Sequence, residues 1–341
     1  MDALLGPDEI GLREELRAWA RQEFAATAGP EGSGSGFPPD LLEKLAVRAR
    51  GSGLLAPGAD THVPTIGPAL MLEGVSSALP EAGFRLAEHA GLCIPFIRSF
   101  GRPDQRERYL PPLTEGRMTG SWLWVETEPA ESRPDARLRM VVNPFSSAAA
   151  RGETAVVVTA SEGGASGRDL EAFVFDERDL RREGGGESGF MLPDSCRMAV
   201  GSQGYETTRA LVRSSSPVVL GCLLGAAAGL LESCYKAART RGVFETPILD
   251  ARDVQVRLSE ARVGLEALRW LMYRALLPGT SGPSAEELDR LLVETVAFIS
   301  GVLDLAGRLE VPGWSLVPAA TASGGAGRAR ALLTSLGHIL L

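Results

Sequence analysis

The chain has 341 residues, and its charge balance limits the partners it can have. It carries 43 Asp and Glu residues against 35 Lys and Arg, which gives a net charge of −8. Phosphodiester backbones are bound by basic surfaces, so this charge argues against nucleic acid as a partner. A content of 44% hydrophobic and 23% charged residues is typical of a globular chain. A length of 341 residues allows about two domains.

Three features of the sequence indicate the compartment. The N-terminus has neither the basic start nor the apolar segment of a secretory leader. The longest apolar run, residues 218–231, is too short to span a bilayer and predicts a helix buried on all sides. The cysteines lack metal-ligand spacing, and we interpret them as reduced core residues: Cys93, Cys196, Cys222 and Cys234. We therefore expect a cytoplasmic protein with no metal site and no membrane partner.

Helical periodicity dominates the first 120 residues. Apolar positions recur at helical spacing between charged ones, and Pro residues stand at several of the starts. The predicted helices are 12–24, 39–47, 66–79, 82–99 and 103–109. This part of the chain, residues 1–120, is predicted to be an N-terminal helical domain.

The pattern changes at Trp122 and changes back at Pro217. Short β-prone runs separated by Gly-rich turns predict strands at 122–125, 138–142, 155–159, 172–175 and 210–212. Long helices are predicted again at 218–240, 251–277, 285–307 and 327–339. The pattern therefore predicts a small β domain at 121–216 and a helical domain at 217–341 that makes the oligomer contacts.

Two segments carry a family resemblance. Residues 100–113 read Phe-Gly-Arg-Pro-Asp-Gln-Arg-Glu-Arg-Tyr-Leu-Pro-Pro-Leu and lead through Gly116 to Thr127-Glu128-Pro129, and residues 237–248 read Ala-Ala-Arg-Thr-Arg-Gly-Val-Phe-Glu-Thr-Pro-Ile. Together with the α, β, α order, these segments resemble the acyl-CoA dehydrogenase family across nearly the whole chain. The resemblance implies an α+β, mostly α fold: an N-terminal helical domain, a small central β domain and a C-terminal four-helix bundle.

The resemblance also implies a place for FAD. Thr127 matches a threonine that faces the flavin ring, and Arg241 and Phe244 match residues that hold the FAD of a neighbouring subunit. Gly307 keeps one glycine of the family's Gln-x-x-Gly-Gly segment, where Asp304 replaces the glutamine and would repel phosphate unless Arg308 compensates. The segment after Pro129 departs from the family pattern and is short. FAD is thus a possible cofactor with half of its ring cradle missing.

The carboxylate that removes the substrate α-proton in that family is replaced here. Residues 332–339 align with its catalytic loop, and Thr334 occupies the position of the glutamate. The alternative acid position of some members falls on Ser214-Ser215-Ser216. A threonine hydroxyl cannot act unaided as a base near neutral pH, and a positioned base contributes typically 10²–10⁴-fold to rate.

Two residues could supply a substitute acid or base. Glu126 immediately precedes Thr127, although strand alternation favours an outward-facing side chain for it. His338 lies four residues after Thr334, but close to the end of the chain, where fraying is common. Both are candidates, and a structural role is the competing interpretation of each.

These observations leave three hypotheses for function. The first is a catalytically degenerate subunit of a heteromeric FAD-dependent acyl-thioester dehydrogenase, which would lend Arg241 and Phe244 to a partner. The second is a stand-alone, flavin-free enzyme that carries out an isomerisation, cyclisation or dehydration in a biosynthetic pathway. The third is a binding or scaffold protein, because fold does not fix function. The expected partners are an acyl thioester of CoA or acyl carrier protein, or a small molecule derived from one, and a homo- or hetero-oligomer.

Overall fold

The structure is a computed structural model that describes residues 4–24, 40–48, 66–126, 139–140, 153–162, 168–179, 181–182, 190–200, 203–243, 246–277, 283–311 and 325–340. In chain order its α-helices are α1 (Pro7–Glu23), α2 (Leu41–Arg48), α3 (Ile66–Ala78), α4 (Pro80–Leu86), α5 (Ile94–Phe100), α6 (Pro103–Thr114), α7 (Gly204–Ser214), α8 (Ser216–Thr240), α9 (Arg252–Leu276), α10 (Ala285–Arg308) and α11 (Gly325–Leu340). The strands are β1 (Thr119–Glu126), β2 (Arg139–Met140), β3 (Glu153–Glu162), β4 (Arg168–Asp176), β5 (Arg181–Arg182), β6 (Phe190–Met191), β7 (Gly242–Val243) and β8 (Thr246–Pro247).

The chain forms two compact units. One, here called the helical unit, takes its described residues from within 1–38, 59–87 and 216–341. The other, here called the mixed unit, takes them from within 39–58 and 88–215. Helices that are far apart in sequence, such as α3 and α8, therefore share one core.

The core of the helical unit is built around α8. Every residue from Ser216 to Ala227 is buried, because α8 packs against α3, α4, α9 and α10. Within the described residues α8 is long and apolar enough to cross a membrane, but 78% of its most apolar window is buried inside the protein. The sequence-based prediction of a helix buried on all sides is confirmed.

Small residues let α3 and α8 approach closely. Gly221, Gly225 and Gly229 recur every four residues on α8, and they form a flat strip facing α3. A Cβ at Gly225 would lie 2.4 Å from the carbonyl oxygen of Glu73, and one at Gly221 would lie 2.3 Å from that of Ala69. The Gly/Ala-rich composition of α8 thus sets the spacing between the two helices.

A three-stranded sheet with the order β1-β3-β4 forms the centre of the mixed unit. β1 and β3 are parallel, with Trp122 opposite Val156, and β3 and β4 are antiparallel. Trp122 and Trp124 are both buried, and Trp122 contacts the ring of Phe96 from α5. Their aromatic burial explains why β1 can carry two tryptophans in alternate positions.

The turn between α6 and β1 requires glycine at position 116. Gly116 has φ +75 and follows α6, and its amide donates to the carbonyl of Leu113. A side chain there would also collide with the backbone of Leu42 in α2, at 2.4 Å. Glycine at this helix end accounts for the Gly that follows the Pro-Pro-Leu of the sequence signature.

Two sequence-based element predictions need correction. The strand predicted at 210–212 is wrong, because these residues belong to α7, where Gly204, Thr208 and Val212 are buried at the helical four-residue spacing. The helix predicted at 82–99 is interrupted by a π-helical segment, Ala87–Cys93. Its His89 is fully buried and accepts a hydrogen bond at Nδ1 from the Gly120 amide at 2.8 Å, which ties this segment to the start of β1.

Candidate functional site

Arg241 lies at the point where α8 ends and a small hairpin begins. Its amide donates to the carbonyl of Ala237 in the last turn of α8, and its own carbonyl accepts from the Ile248 amide beyond β7 and β8. The backbone of Arg241 is therefore fixed on both sides. The guanidinium is half-exposed at this edge of the helical unit.

The guanidinium of Arg241 is held by residues that follow α10. Its Nη1 donates to the Leu309 carbonyl at 2.9 Å and to Oε2 of Glu310 at 3.0 Å. Glu310 was not among the residues that the sequence singled out. The interaction places a carboxylate against the group that the resemblance assigns to phosphate.

Glu310 has an unusual backbone conformation. Its φ is +48, the left-handed region, and within the described residues it is the only non-glycine residue with positive φ. Its amide donates to the Gly307 carbonyl and the Val311 amide donates to the Ala306 carbonyl, a pattern that ends α10. Glycine is the usual residue at such a position, so a glutamate there is a strained choice. An acidic residue directly after a helix end is the signal by which sequence reasoning could have found it.

Two further residues of this edge come from α10. Gly307 is buried in the last turn of α10, and Asp304 is exposed. Asp304 Oδ1 accepts a hydrogen bond at 2.8 Å from Arg330 of α11. The cation that the structure pairs with Asp304 is therefore Arg330, where the sequence pointed to Arg308.

Thr334 lies in the middle of α11, and its side chain is exposed. Residues 332–339, which the resemblance aligns with the family's catalytic loop, lie within the helix Gly325–Leu340, as the helix predicted at 327–339 requires, and its buried face carries Leu332, Leu333 and Leu336. His338 is on the same helix, and its side chain is outside the described residues, as is that of Glu126 at the end of β1. Thr127 and Phe244 lie outside the described residues altogether.

No carboxylate is available at either position where the resemblance implies one. The sequence contains no Asp or Glu after Glu310, so neither α11 nor the segment before it can supply a carboxylate base. The other position falls at the junction of α7 and α8, where Ser215 and Ser216 are both buried. A serine hydroxyl cannot ionise there near neutral pH, so it cannot replace a carboxylate.

The described residues at this edge do not fit a FAD pyrophosphate. Nη1 of Arg241 already donates to a carboxylate and a carbonyl, so a pyrophosphate would have to compete with Glu310 for this nitrogen. Glu310 and Asp304 also place two carboxylates at this edge, each paired with an arginine, Arg241 and Arg330. A group with clustered phosphates would therefore meet no surplus positive charge among these four residues.

A second ionic cluster, deep in the helical unit, was also missed by sequence reasoning. Glu73 of α3 is fully buried; its Oε1 lies 2.6 Å from Arg269 Nε, and its Oε2 accepts from the Tyr273 hydroxyl at 2.6 Å. Arg13 of α1 donates to the same hydroxyl at 2.9 Å. Burial, followed by the Glu73 charge, raises the pKa of Tyr273. A glutamate inside the apolar run 69–75 is the sequence signal for this cluster, which ties α1, α3 and α9 together.

Glu73 also contributes to the charge state of Arg269. Burial has the largest single effect and would lower the pKa of this guanidinium, but the electrostatic effects of Glu73, Tyr273 and Glu266 together raise it. Arg269 therefore stays a cation, with Glu73 at 2.6 Å and Glu266 at 3.1 Å. A polar cavity of about 690 Å³ opens above them, lined by α1, α8 and α9 side chains that include Arg17, Glu232 and Glu266.

Comparison with protein families gives two matches. Residues 6–117 match the acyl-CoA dehydrogenase N-terminal domain, and residues 202–287 match the acyl-CoA dehydrogenase C-terminal domain. The chain is 21% identical over 305 residues to the mitochondrial short-chain specific acyl-CoA dehydrogenase of Mus musculus, covering 78% of this chain and 71% of that protein. It is 22% identical over 300 residues to an acyl-CoA dehydrogenase of Bacillus subtilis, covering 79% and 78%.

Solved structures give the same fold. The FAD complex of PigA superimposes with a TM-score of 0.58 at 16% identity, covering 100% of this chain and 98% of that chain. Butyryl-CoA dehydrogenase from Megasphaera elsdenii superimposes with a TM-score of 0.56 at 15% identity, covering 97% and 95%. These likenesses confirm the predicted acyl-CoA dehydrogenase fold.

Proposed function

The chain belongs to the acyl-CoA dehydrogenase family, and from that premise we propose that it is a catalytically degenerate subunit of a heteromeric FAD-dependent acyl-thioester dehydrogenase. The observation that carries the proposal is the segment 311–341, which includes the position that the resemblance assigns to the family's glutamate and contains no Asp or Glu. The α-proton of an acyl thioester needs a positioned base, and here a partner subunit supplies it. The chain contributes the family fold and an interface.

The interface is supported by the exposed face of α9. Val256, Val263 and Trp270 recur at seven-residue spacing on this helix, and all three are exposed, with Leu271 beside them. In the half of α9 from Arg252 to Gly264, only Leu258 is buried. An apolar stripe at this spacing is typical of a helix that packs against another helix. We assign that helix to a second chain of the same family.

The first prediction concerns this interface. The purified chain is expected to sediment as a dimer or larger species, and Val263→Glu is expected to shift it toward the monomer, because the substitution places a charge in the middle of the apolar stripe. Analytical ultracentrifugation at micromolar concentration measures both. Val47→Glu is the matched control, since Val47 is an exposed valine on α2. A stable wild-type monomer, or equal effects of the two substitutions, would contradict the assignment.

The second prediction concerns chemistry. The chain alone, supplied with FAD and an artificial electron acceptor, is expected to show no reduction of the acceptor with acyl-CoA thioesters. Thr334→Glu is expected to leave the chain inactive, because residue 334 is exposed on α11. A dye-reduction assay measures this, and addition of a family partner that carries the carboxylate is expected to restore turnover. Turnover by the wild-type chain alone would defeat the proposal.

A flavin-free enzyme on the same fold is the second candidate function. The pairing of Arg241 with Glu310 favours it, since a chain that holds no flavin has no need for a free guanidinium there. In this case an acyl thioester of CoA or acyl carrier protein would be isomerised, cyclised or dehydrated, with Glu126 or His338 as the acid or base. Conversion of a thioester by the chain alone, with no reduction of the dye and with loss on Glu126→Gln, would favour this candidate over the first.

A further inference from the structure

We propose that Glu310 is a built-in anion beside the Arg241 guanidinium and that its charge weakens the binding of diphosphates there. The proposal concerns only the anion beside Arg241. It holds whether or not the chain acts with a catalytic partner. ADP titration tests the role of Glu310 and the dye-reduction assay tests the proposed function, so either can fail without the other.

Geometry provides the first argument. One nitrogen, Nη1 of Arg241, donates both to the Glu310 carboxylate and to the Leu309 carbonyl. These acceptors are consecutive residues directly after α10, so they are presented together by a backbone that two helix-end hydrogen bonds hold. A phosphate that approached this nitrogen would have to displace both acceptors.

Backbone strain provides the second argument. Glu310 has φ +48, a region in which a residue with a Cβ is costly and glycine is not. Such strain persists where the residue has a role that glycine could not fill. Among the described residues, the contact of the Glu310 side chain that glycine could not make is its ion pair with Arg241.

Exposure sets the expected size of the effect. The two side chains are 38% and 79% exposed, so the ion pair alone is weak and would not hold Arg241 against a tightly binding ligand. Glu310 acts mainly by its charge: a diphosphate on Arg241 would lie within a few ångströms of the carboxylate. Like charges at that separation and in a solvent-exposed setting lower affinity by roughly tenfold.

The experiment titrates ADP, a soluble diphosphate probe, into the full-length chain and its variants by isothermal titration calorimetry. Glu310→Gln removes the charge and keeps the size of the side chain, and Glu310→Gly also removes the backbone strain. Both are expected to bind ADP about tenfold more tightly than the wild type or better. The gain is expected to vanish when Arg241→Gln is added to either variant, because the gained affinity comes from the freed guanidinium.

Glu286→Gln is the matched control. Glu286 is an exposed acid in the first turn of α10, the helix after which Glu310 lies, and it is paired with Arg290 at 3.4 Å. The control removes the same charge from the chain, so it is expected to leave ADP affinity unchanged. Thermal melting checks folding, and Glu310→Gly is expected to melt no lower than the wild type because φ +48 suits glycine.

Three results would overturn the proposal. The first is that no Glu310 variant binds ADP more tightly than the wild type at ADP concentrations up to about millimolar. The second is that the gain persists when Arg241 is replaced. The third is an equal gain in Glu286→Gln, which would assign the effect to the net charge of the chain. A gain confined to the two Glu310 variants and dependent on Arg241 would establish Glu310 as the determinant.

Discussion

Replacement of Glu73 by glutamine is expected to lower the free energy of unfolding by about 3–5 kcal/mol. The substitution keeps the shape of the side chain but removes the fully buried carboxylate beside Arg269, which keeps only its pair with Glu266 at 3.1 Å. The Tyr273 hydroxyl also loses a charged acceptor at 2.6 Å. Because this cluster joins α1, α3 and α9, the loss is expected to destabilise the helical unit as a whole. Urea denaturation followed by circular dichroism measures the change.

Glu232→Gln is the control for this prediction. Glu232 also carries ion pairs, at 2.6 Å with Arg17 and 2.7 Å with Arg21, but it is 55% exposed. Exposed pairs contribute about 1 kcal/mol or less, so this variant is expected to unfold close to the wild type. A similar loss in both variants would show that burial of the Glu73 pair does not determine its contribution.

Replacement of Gly225 by alanine is expected to cost about 1–3 kcal/mol and to loosen the packing of α3 on α8. The new Cβ would lie 2.4 Å from the Glu73 carbonyl oxygen and 2.8 Å from the Ser76 Cβ. Neither helix can move without disturbing the core of the helical unit, so the cost cannot be relieved by a side-chain rotation. The same denaturation experiment measures it.

The matched control is Gly301→Ala. Gly301 is also inside a helix, α10, but it is exposed and a Cβ there meets no atom within 4 Å. Alanine is a better helix former than glycine by about 1 kcal/mol, so this variant is expected to be as stable as the wild type or more so. Stabilisation by both substitutions would contradict the close approach of α3 and α8.

Much of the fold could be predicted from the sequence, because the motifs and periodicities that identify its elements are local. The 100–113 signature, the buried run of α8 and the helical periodicity of α9, α10 and α11 each identify an element without reference to the rest of the chain. The strand predicted at 210–212 failed because three residues are too few to distinguish a period of two from one of 3.6.

The site was accessible only in part, because its contacts join distant segments. The resemblance identified Arg241 and Gly307 by alignment, but the ion pair between Arg241 and Glu310 joins residues 69 positions apart. A local sequence pattern cannot predict an ion pair between residues so far apart in the chain. The role of Thr334 stays a prediction, because it rests on alignment with the family's catalytic loop alone. In the structure the apolar residues after it belong to the buried face of α11.

The central claim is that this chain keeps the acyl-CoA dehydrogenase fold without the family's cofactor site. A visible absorption spectrum of the purified full-length chain tests it most directly, with the flavin content measured per chain. We expect a colourless protein, or flavin far below one molecule per chain, because Glu310 pairs with Arg241 and a phosphate there would lie beside its carboxylate. Stoichiometric flavin bands near roughly 370 and 450 nm, a property of the cofactor itself, would contradict the claim.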